Sequence, residues 1–564
     1  MTGPSGEQGR QRGIRRVQWW FRCAIASCAL IDLWLSRNAM NPDSVSYLDM
    51  GDLYWRRDWQ AALNSCWSPL YSWLTGLMFL ATKPAPRWEF PEVHLLNYAI
   101  LLATLFCFEF FWGELLASAG GEAWVGASQV YAWVLGYLAF AWVHFSTGAI
   151  TMVTPDLLVA ALVYLTSGMM LRFAGGRMGA ASAVPFGILL GVGYLAKTAM
   201  LPFAAVMILT MCAVAWRRHR RKSPIAITLA GCLAISLPFI AALSWNAHRL
   251  TAGDAPKLNQ GWFVNSVHPV FFYWQGSEPA HTDALHPPRK VFAKPEVYEY
   301  AAPVAGTYPL WYDPSYWYAG LDASVHPARE IAAFLRNMAT IWNYLFKLSG
   351  ILTTVVLMML LLSDRVKDYW RRLMSFWPIL APAAAVFFMY SMVFWTERYT
   401  SGLMLVGCGA AIASISISGE ERRTRVLRAA SLILGAMAVG FAPHAVHWKY
   451  LDSGQQAQYA AVAERLRAMG VEPGDRVALI ADGDYEECWA RLAKVKIVAE
   501  VPHSLETGDA AAAFWNSSPE TELAVLDILK RTGAKAAVAD TPPSVLPAGW
   551  AWIGSTGRAV FFFR

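Results

Sequence analysis

Three aspartates, Asp43, Asp49 and Asp52, stand within ten residues directly after the first long apolar run. A carboxylate beside a bilayer is costly unless it is solvated, paired or employed in chemistry. Asp43 follows Asn41-Pro42 and opens a helical pattern (Val45, Leu48, Leu53), so a helix cap and a reactive acid are both open to it. Asp52 and Arg56 are spaced as an ordinary i,i+4 surface pair, and Asp49 and Asp52 read as a solvated helix face. A second acid, Asp156, follows Thr154-Pro155 at the start of another apolar run, again with a helix start as its simplest role. Lys197 interrupts Gly191-Val192-Gly193-Tyr194-Leu195-Ala196; it can snorkel to the interface or hold a phosphate there. Arg398, in Thr396-Glu397-Arg398-Tyr399, can grip phosphate through a bidentate fork or simply anchor a helix end.

Two further groups of residues share one long loop. His268, His281, Asp283 and His286 include metal-binding types, but their spacing matches no compact ligand motif, so a divalent metal is left open and none is required. The run Thr307–Tyr318, with Trp311 and Tyr312, offers rings to stack on sugars or seat a lipid chain, and equally an interfacial belt. Glu109 lies inside an apolar run and is expected to pair within a helix bundle.

Apolar runs must position all of these residues. The chain has 564 residues, 56% hydrophobic and 15% charged, with mean hydropathy +0.33. Those values belong to a polytopic membrane protein rather than a string of soluble domains. The net charge of +7 sits in short loops between apolar runs, which fits a membrane and gives no support to a nucleic-acid partner. Of eight cysteines, only Cys66 and Cys488 fall in expected aqueous regions, so no disulfide framework is implied. The basic N-terminus before a long apolar run reads as a signal anchor with a cytoplasmic end.

With about 20 residues needed per span, about eleven spans are expected. They cover Trp19–Leu35, His94–Leu116, Trp124–Phe145, Leu157–Leu171, Ala181–Leu195, Met200–Trp216, Ile225–Trp245, Tyr344–Leu362, Met374–Trp395, Gly402–Ile417 and Val426–His444. Ser68–Thr82 is short and amphipathic. Counting it as a span would move every dense basic cluster outside, so it is expected to lie in the outer interface. The resulting organisation is a basic cytoplasmic N-terminus (1–17), a transmembrane domain (18–448) with outer loops 36–93 and 246–340, and an extracytoplasmic α/β domain (449–564). In that tail, strands are expected at Arg476–Ala481, Lys496–Val501, Lys535–Ala539 and Ala559–Phe563, with helices at Ala460–Met469 and Thr521–Thr532. It carries neither a G-x-G-x-x-G nor a P-loop pattern.

The chain resembles the GT-C superfamily of membrane glycosyltransferases, and within it the bacterial protein O-mannosyltransferase and aminoarabinose-transferase branch. The likeness rests on ordered features: Asp43-x-x-x-Tyr47, the Pro69-Leu70-Tyr71-x-Trp73-Leu74 segment, Asp156, the Gly191-x-Gly193-x-Leu195-x-Lys197 turn, Arg398-Tyr399 and a soluble tail. It implies a polyprenyl-phosphate-linked sugar donor and a lipid, glycan or protein acceptor at the outer face of a bacterial inner membrane. It implies Asp43 as general base for an inverting transfer, with Asp156 orienting the acceptor or assisting the base. Lys197 and Arg398, with Arg289 in reserve, would hold the donor phosphate, and Tyr47, Tyr71, Trp311 and Tyr312 would contact substrate. Protein O-mannosyltransferases tend to have Asp-Glu where this chain has Asp43-Ser44. The zinc ligands of aminoarabinose transferases have no residue-by-residue match here. A transporter or flippase would show broken spans near mid-membrane and internal repeats; no repeat is present. A non-catalytic envelope scaffold is the third reading.

Overall fold

The computed structural model describes residues 4–563 except 120–125, 149, 219–221, 266–288, 301–303, 318–322, 349, 365, 482 and 503–509. Among these, helices occupy every expected span: Pro4–Ser36, Pro86–Ser118, Ala127–Ser146, Asp156–Ala174, Ala180–Ala196, Met200–Arg217, Ser223–Asn246, Gly350–Leu361, Trp377–Met392, Glu397–Ala413 and Glu420–Ala468. Four of them and the first part of the last, Glu420–Pro443, are each long and apolar enough to cross a membrane alone. Lys367–Ser375 and Trp377–Met392 make a sixth candidate, bent by 81°. An all-helical design satisfies every backbone group within its own segment, which lipid demands. This is a multi-pass α-helical membrane protein.

Ion pairs tie the bundle together where charge enters it. Glu109 accepts from Arg22 at 2.8 Å and from the Tyr137 hydroxyl at 2.6 Å, the intrabundle pairing expected of it. At the opposite end from the sheet domain, Glu114 meets Arg172 at 2.6 Å and Arg177 at 2.8 Å.

Two short helices follow the first span on the side of the sheet domain, Pro42–Trp55 and Pro69–Thr82. The second is the amphipathic segment expected at the interface. It buries Tyr71, Ser72, Thr75 and Phe79, and leaves Leu77 and Leu80 exposed. The helices cross at Gly51 and Gly76. A Cβ on Gly51 would stand 2.7 Å from the Ser72 carbonyl oxygen, and one on Gly76 would stand 2.8 Å from the Gly51 oxygen. Only residues without side chains allow backbones this close.

The soluble domain differs from the sequence expectation in two ways. Its seven-stranded sheet has the order β1-β2-β4-β3-β5-β7-β6. The strands are β1 (Arg289–Ala293), β2 (Glu296–Glu299), β3 (Arg476–Ile480), β4 (Lys496–Val501), β5 (Ala536–Ala539), β6 (Trp550–Trp552) and β7 (Ala559–Phe562). The β4-β3-β5 core is parallel and its flanks are antiparallel. Strands β1 and β2 come from the loop 246–340, so the tail does not build the domain alone. The expected boundary at 448/449 also falls inside a helix, because Glu420–Ala468 runs on for 49 residues and carries Pro443 within it. The drop in hydropathy near Lys449 falls within this one continuous helix, and the chain does not break there.

Gly51→Leu is expected to destabilise the protein by about 1–3 kcal/mol through overpacking. The check is a lower melting temperature in detergent. Gly179→Leu, where a new Cβ meets nothing within 4 Å, serves as the control and should leave it unchanged.

Candidate active site

The helix Pro42–Trp55 is capped by Asn41 rather than by Asp43. The Asn41 side chain accepts from the Ser44 backbone N–H at 3.2 Å, the Ser44 hydroxyl accepts from the Asn41 N–H, and Pro42 opens the helix. This capping box leaves the Asp43 carboxylate free for other partners. It accepts from Arg398 Nη2 at 2.9 Å. Arg398 lies one residue inside the helix Glu397–Ala413, and its Nη1 stands 3.6 Å from Asp156 Oδ2. Asp156 is the first residue of Asp156–Ala174, as its place after Pro155 predicts. Both its oxygens are engaged: Oδ1 by Lys197 Nζ at 2.7 Å and Oδ2 by the Thr154 hydroxyl at 2.9 Å. Lys197 ends the helix Ala180–Ala196 in extended conformation, and Nζ sits 3.4 Å from the centre of the Tyr399 ring.

Four chain segments therefore deliver two carboxylates and two cations to one place, with side-chain exposures of only 11–21%. The charges balance, so each ion is compensated although little water reaches it. Burial pulls the Lys197 amine below its ordinary value, and Asp156 opposes that pull. All four residues line a cavity of about 520 Å³, together with Tyr47, Trp67, Trp262, Trp311, Tyr390 and Phe394. Leu201, Met389 and Val393 add apolar surface to the same cavity.

The remaining sequence candidates divide. Tyr47 and Trp311 line the cavity. Tyr71 does not: it is fully buried, donates to Asn97 Oδ1 at 2.7 Å and packs edge-on against Tyr47, which it supports from behind. Tyr312 is also buried, with its hydroxyl on the Ala61 carbonyl at 2.8 Å, so it shapes the loop rather than facing the cavity. Arg289 lies on β1, paired with Glu299 at 2.5 Å, and is not among the residues lining the cavity. The edge strand that carries it joins the sheet, which no local pattern announced. His268, His281, Asp283 and His286 lie outside the described residues; among those described, no three His, Cys, Asp or Glu residues gather as a metal site.

Asp49 and Asp52 overturn the solvated-face reading. Asp49 is buried and meets Arg491 Nη1 at 2.8 Å, and Asp52 meets the same nitrogen at 2.8 Å. Arg491 Nε also reaches Glu89 at 2.5 Å, and Lys494 reaches Glu89 at 2.6 Å. Burial pushes the Asp49 carboxyl above its ordinary value, against the pull of Arg491 and Thr307. Burial pushes Asp52 the same way, but Arg491 and Lys494 outweigh it and hold the group below its ordinary value. The i,i+4 spacing to Arg56 was a local signal, and partners more than 400 residues away displaced it.

No protein-family model matches the chain, and no curated protein sequence does. Solved structures do. ArnT from Cupriavidus metallidurans in its apo state is similar over 95% of this chain and 97% of its own, with a TM-score of 0.52 and 12% identity. The same protein bound to undecaprenyl phosphate gives 0.49 and 13% identity over the same shares. The Archaeoglobus fulgidus oligosaccharyltransferase, in complex with zinc and sulfate, gives 0.45 and 13% identity over 92% of this chain and 68% of its own. The likeness to the apo ArnT structure, which spans nearly the whole of both chains, shows that the two share a fold.

Proposed function

We propose that this protein is an inverting glycosyltransferase that moves a sugar from a polyprenyl-phosphate donor to an acceptor hydroxyl, with Asp43 as general base. One observation carries the reading: Asp43, Asp156, Lys197 and Arg398 converge from four segments on one aromatic-lined cavity within a GT-C fold. The aromatic and apolar lining suits a sugar ring and a prenyl tail, and the two cations suit a phosphate.

The acceptor oxygen attacks the anomeric carbon from the face opposite the phosphate, and its proton passes to Asp43. The carbon–oxygen bond to phosphate breaks, and its electron pair stays on the phosphate oxygen, where Lys197 and Arg398 stabilise the growing charge. Configuration at that carbon inverts, and Asp43 later returns its proton to water. Asp43 suits the base role better than Asp156, whose two oxygens are already held by Lys197 and Thr154. An incoming phosphate competes with Asp43 for Arg398, which frees the carboxylate as the donor arrives. Asp156 keeps Lys197 charged and in place.

The proposed orientation puts the site and the sheet domain outside a bacterial inner membrane, with the N-terminus in the cytoplasm. The basic loops support it: Arg172, Arg177, Arg217, Arg218, Arg422 and Arg423 all sit at the bundle end opposite the sheet domain, as the positive-inside rule requires of a cytoplasmic face. The acceptor class is a lipid, glycan or protein hydroxyl.

Asp43→Asn is expected to lower transfer from a polyprenyl-phosphate sugar by about 10²–10⁴-fold. Membrane insertion should persist with a lowered melting temperature, because Arg398 loses the charge of its partner, and near-normal transfer by that variant would sink the assignment. Lys197→Met and Arg398→Gln should each lower kcat by about 10²-fold in the same assay; if kcat is unchanged, neither residue stabilises the leaving phosphate. Asp156→Asn leaves Lys197 buried without its main counter-charge and should cost about 3–5 kcal/mol at neutral pH. Lys197 has a folded-state pKa below its unfolded value of 10.5, so the unfolded chain binds more protons and stability rises with pH in that window. The deficit of Asp156→Asn against the parent protein should therefore narrow as the pH rises from about 7 towards 10.5, measured by denaturation across that range.

A further inference from the structure

We propose that Arg491, on the sheet domain's helix Gly483–Ala493, is a positioning residue that aims the Asp43 carboxylate through the helix Pro42–Trp55. The inference rests on the glycosyl-transfer reading above. Arg491 is almost fully buried, and it bridges carboxylates of both the site helix and the span Pro86–Ser118. Asp49 and Asp52 lie six and nine residues beyond Asp43 on one helix, about 9 and 14 Å along its axis. A helix of this length moves as a rod, so its far end cannot shift without moving Asp43.

Asp49 also fixes the facing wall of the cavity. Its carboxylate accepts from the Thr307 backbone N–H at 2.6 Å and from the Thr307 hydroxyl at 2.9 Å. The Thr307 carbonyl in turn accepts from the Ile497 N–H of β4 at 2.9 Å. Four residues further on, Trp311 lines the cavity, and its carbonyl accepts from Ser46 of the site helix at 3.3 Å. One carboxylate thus ties together the helix of the proposed base, a wall of the cavity and the sheet domain.

Stability alone gives little reason for this design. Three carboxylates (Asp49, Asp52, Glu89) face two cations (Arg491, Lys494), and a buried ion cluster is often no more stable than apolar packing of the same volume. Directional bonds from one guanidinium do supply a fixed register, which apolar packing does not. Displacing a reacting group by about 1 Å can cost about 10²-fold in rate.

The test uses full-length Arg491→Met, Arg491→Lys, Asp49→Asn and the Arg491→Met/Asp49→Asn double variant, assayed on monodisperse protein well below its melting temperature. Arg491→Met should lower kcat by about 10–10²-fold while affinity for polyprenyl phosphate stays within about twofold. Arg491→Lys should recover part of the loss, and the double variant should be no slower than the slower single variant. Hydrogen exchange of the Pro42–Trp55 amides should rise in Arg491→Met while that of Asp156–Ala174 does not. A parental kcat with unchanged exchange would overturn the inference. So would a fall in donor affinity matched to the fall in rate, which would mean general loss of structure. If Arg491→Met does not fold, Arg491→Lys and Asp49→Asn carry the same readouts. Transfer that survives Asp43→Asn overturns the glycosyltransferase reading instead, while the exchange measurement still decides whether Arg491 holds the helix.

Discussion

The guanidinium of Arg398 touches Asp43 with one nitrogen and stands near Asp156 with the other, in a place where water is scarce. Each of these charges has a partner of opposite sign within reach, which offsets much of the cost of holding it away from water. This mutual dependence constrains the rest of the bundle. The starts of Asp156–Ala174 and Glu397–Ala413, the end of Ala180–Ala196 and the first turn of Pro42–Trp55 must meet at one depth, because a helix displaced by one turn would strand a buried charge. On the proposed reading, neutrality also suits an anion: an entering phosphate would replace a carboxylate as the partner of cations already in position.

A second ionic centre, around Arg491, stands on the same short helix. The two clusters share a pattern of one arginine between several acids, yet they join different things. The first joins membrane helices to each other, and the second joins the membrane bundle to the soluble sheet. Pro42–Trp55 runs between them, pressed on the helix Pro69–Thr82 through Gly51 and Gly76. The close glycine crossing keeps the helix from rolling, and the charges at its two ends keep it from sliding.

Much of this was legible in the sequence, and the reasons are physical. Spans are written in composition, so the apolar runs located a helix in each of the expected spans. Asp156 and Lys197 stood out because charge inside or beside an apolar run is rare. Other features left no local trace. Asp49 and Asp52 look solvated beside Arg56, and only the folded chain brings Arg491 to them. Tyr71 and Tyr312 have the composition of binding residues but face inward, since a ring with a hydroxyl packs as well behind a cavity as in front of it. Strands β1 and β2 are five and four residues long, and they join the sheet only because β2 pairs with β4, about 200 residues later in the chain.

The unbroken helix Glu420–Ala468 sets a distance as well as a connection. At about 1.5 Å per residue its 49 residues span about 74 Å, more than twice the hydrocarbon thickness of a bilayer. Its upper half is a post that leads from the bundle to the sheet domain as one continuous helix. Inserting one residue into that post would lift its top by about 1.5 Å and turn it by about 100°. The two strands lent by the distant loop, and the cation seated between three acids, hold the domain from its other side. The soluble domain is thus a braced roof at a fixed height over the cavity, and the post's length in residues is as much a part of the site's specification as any side chain lining it.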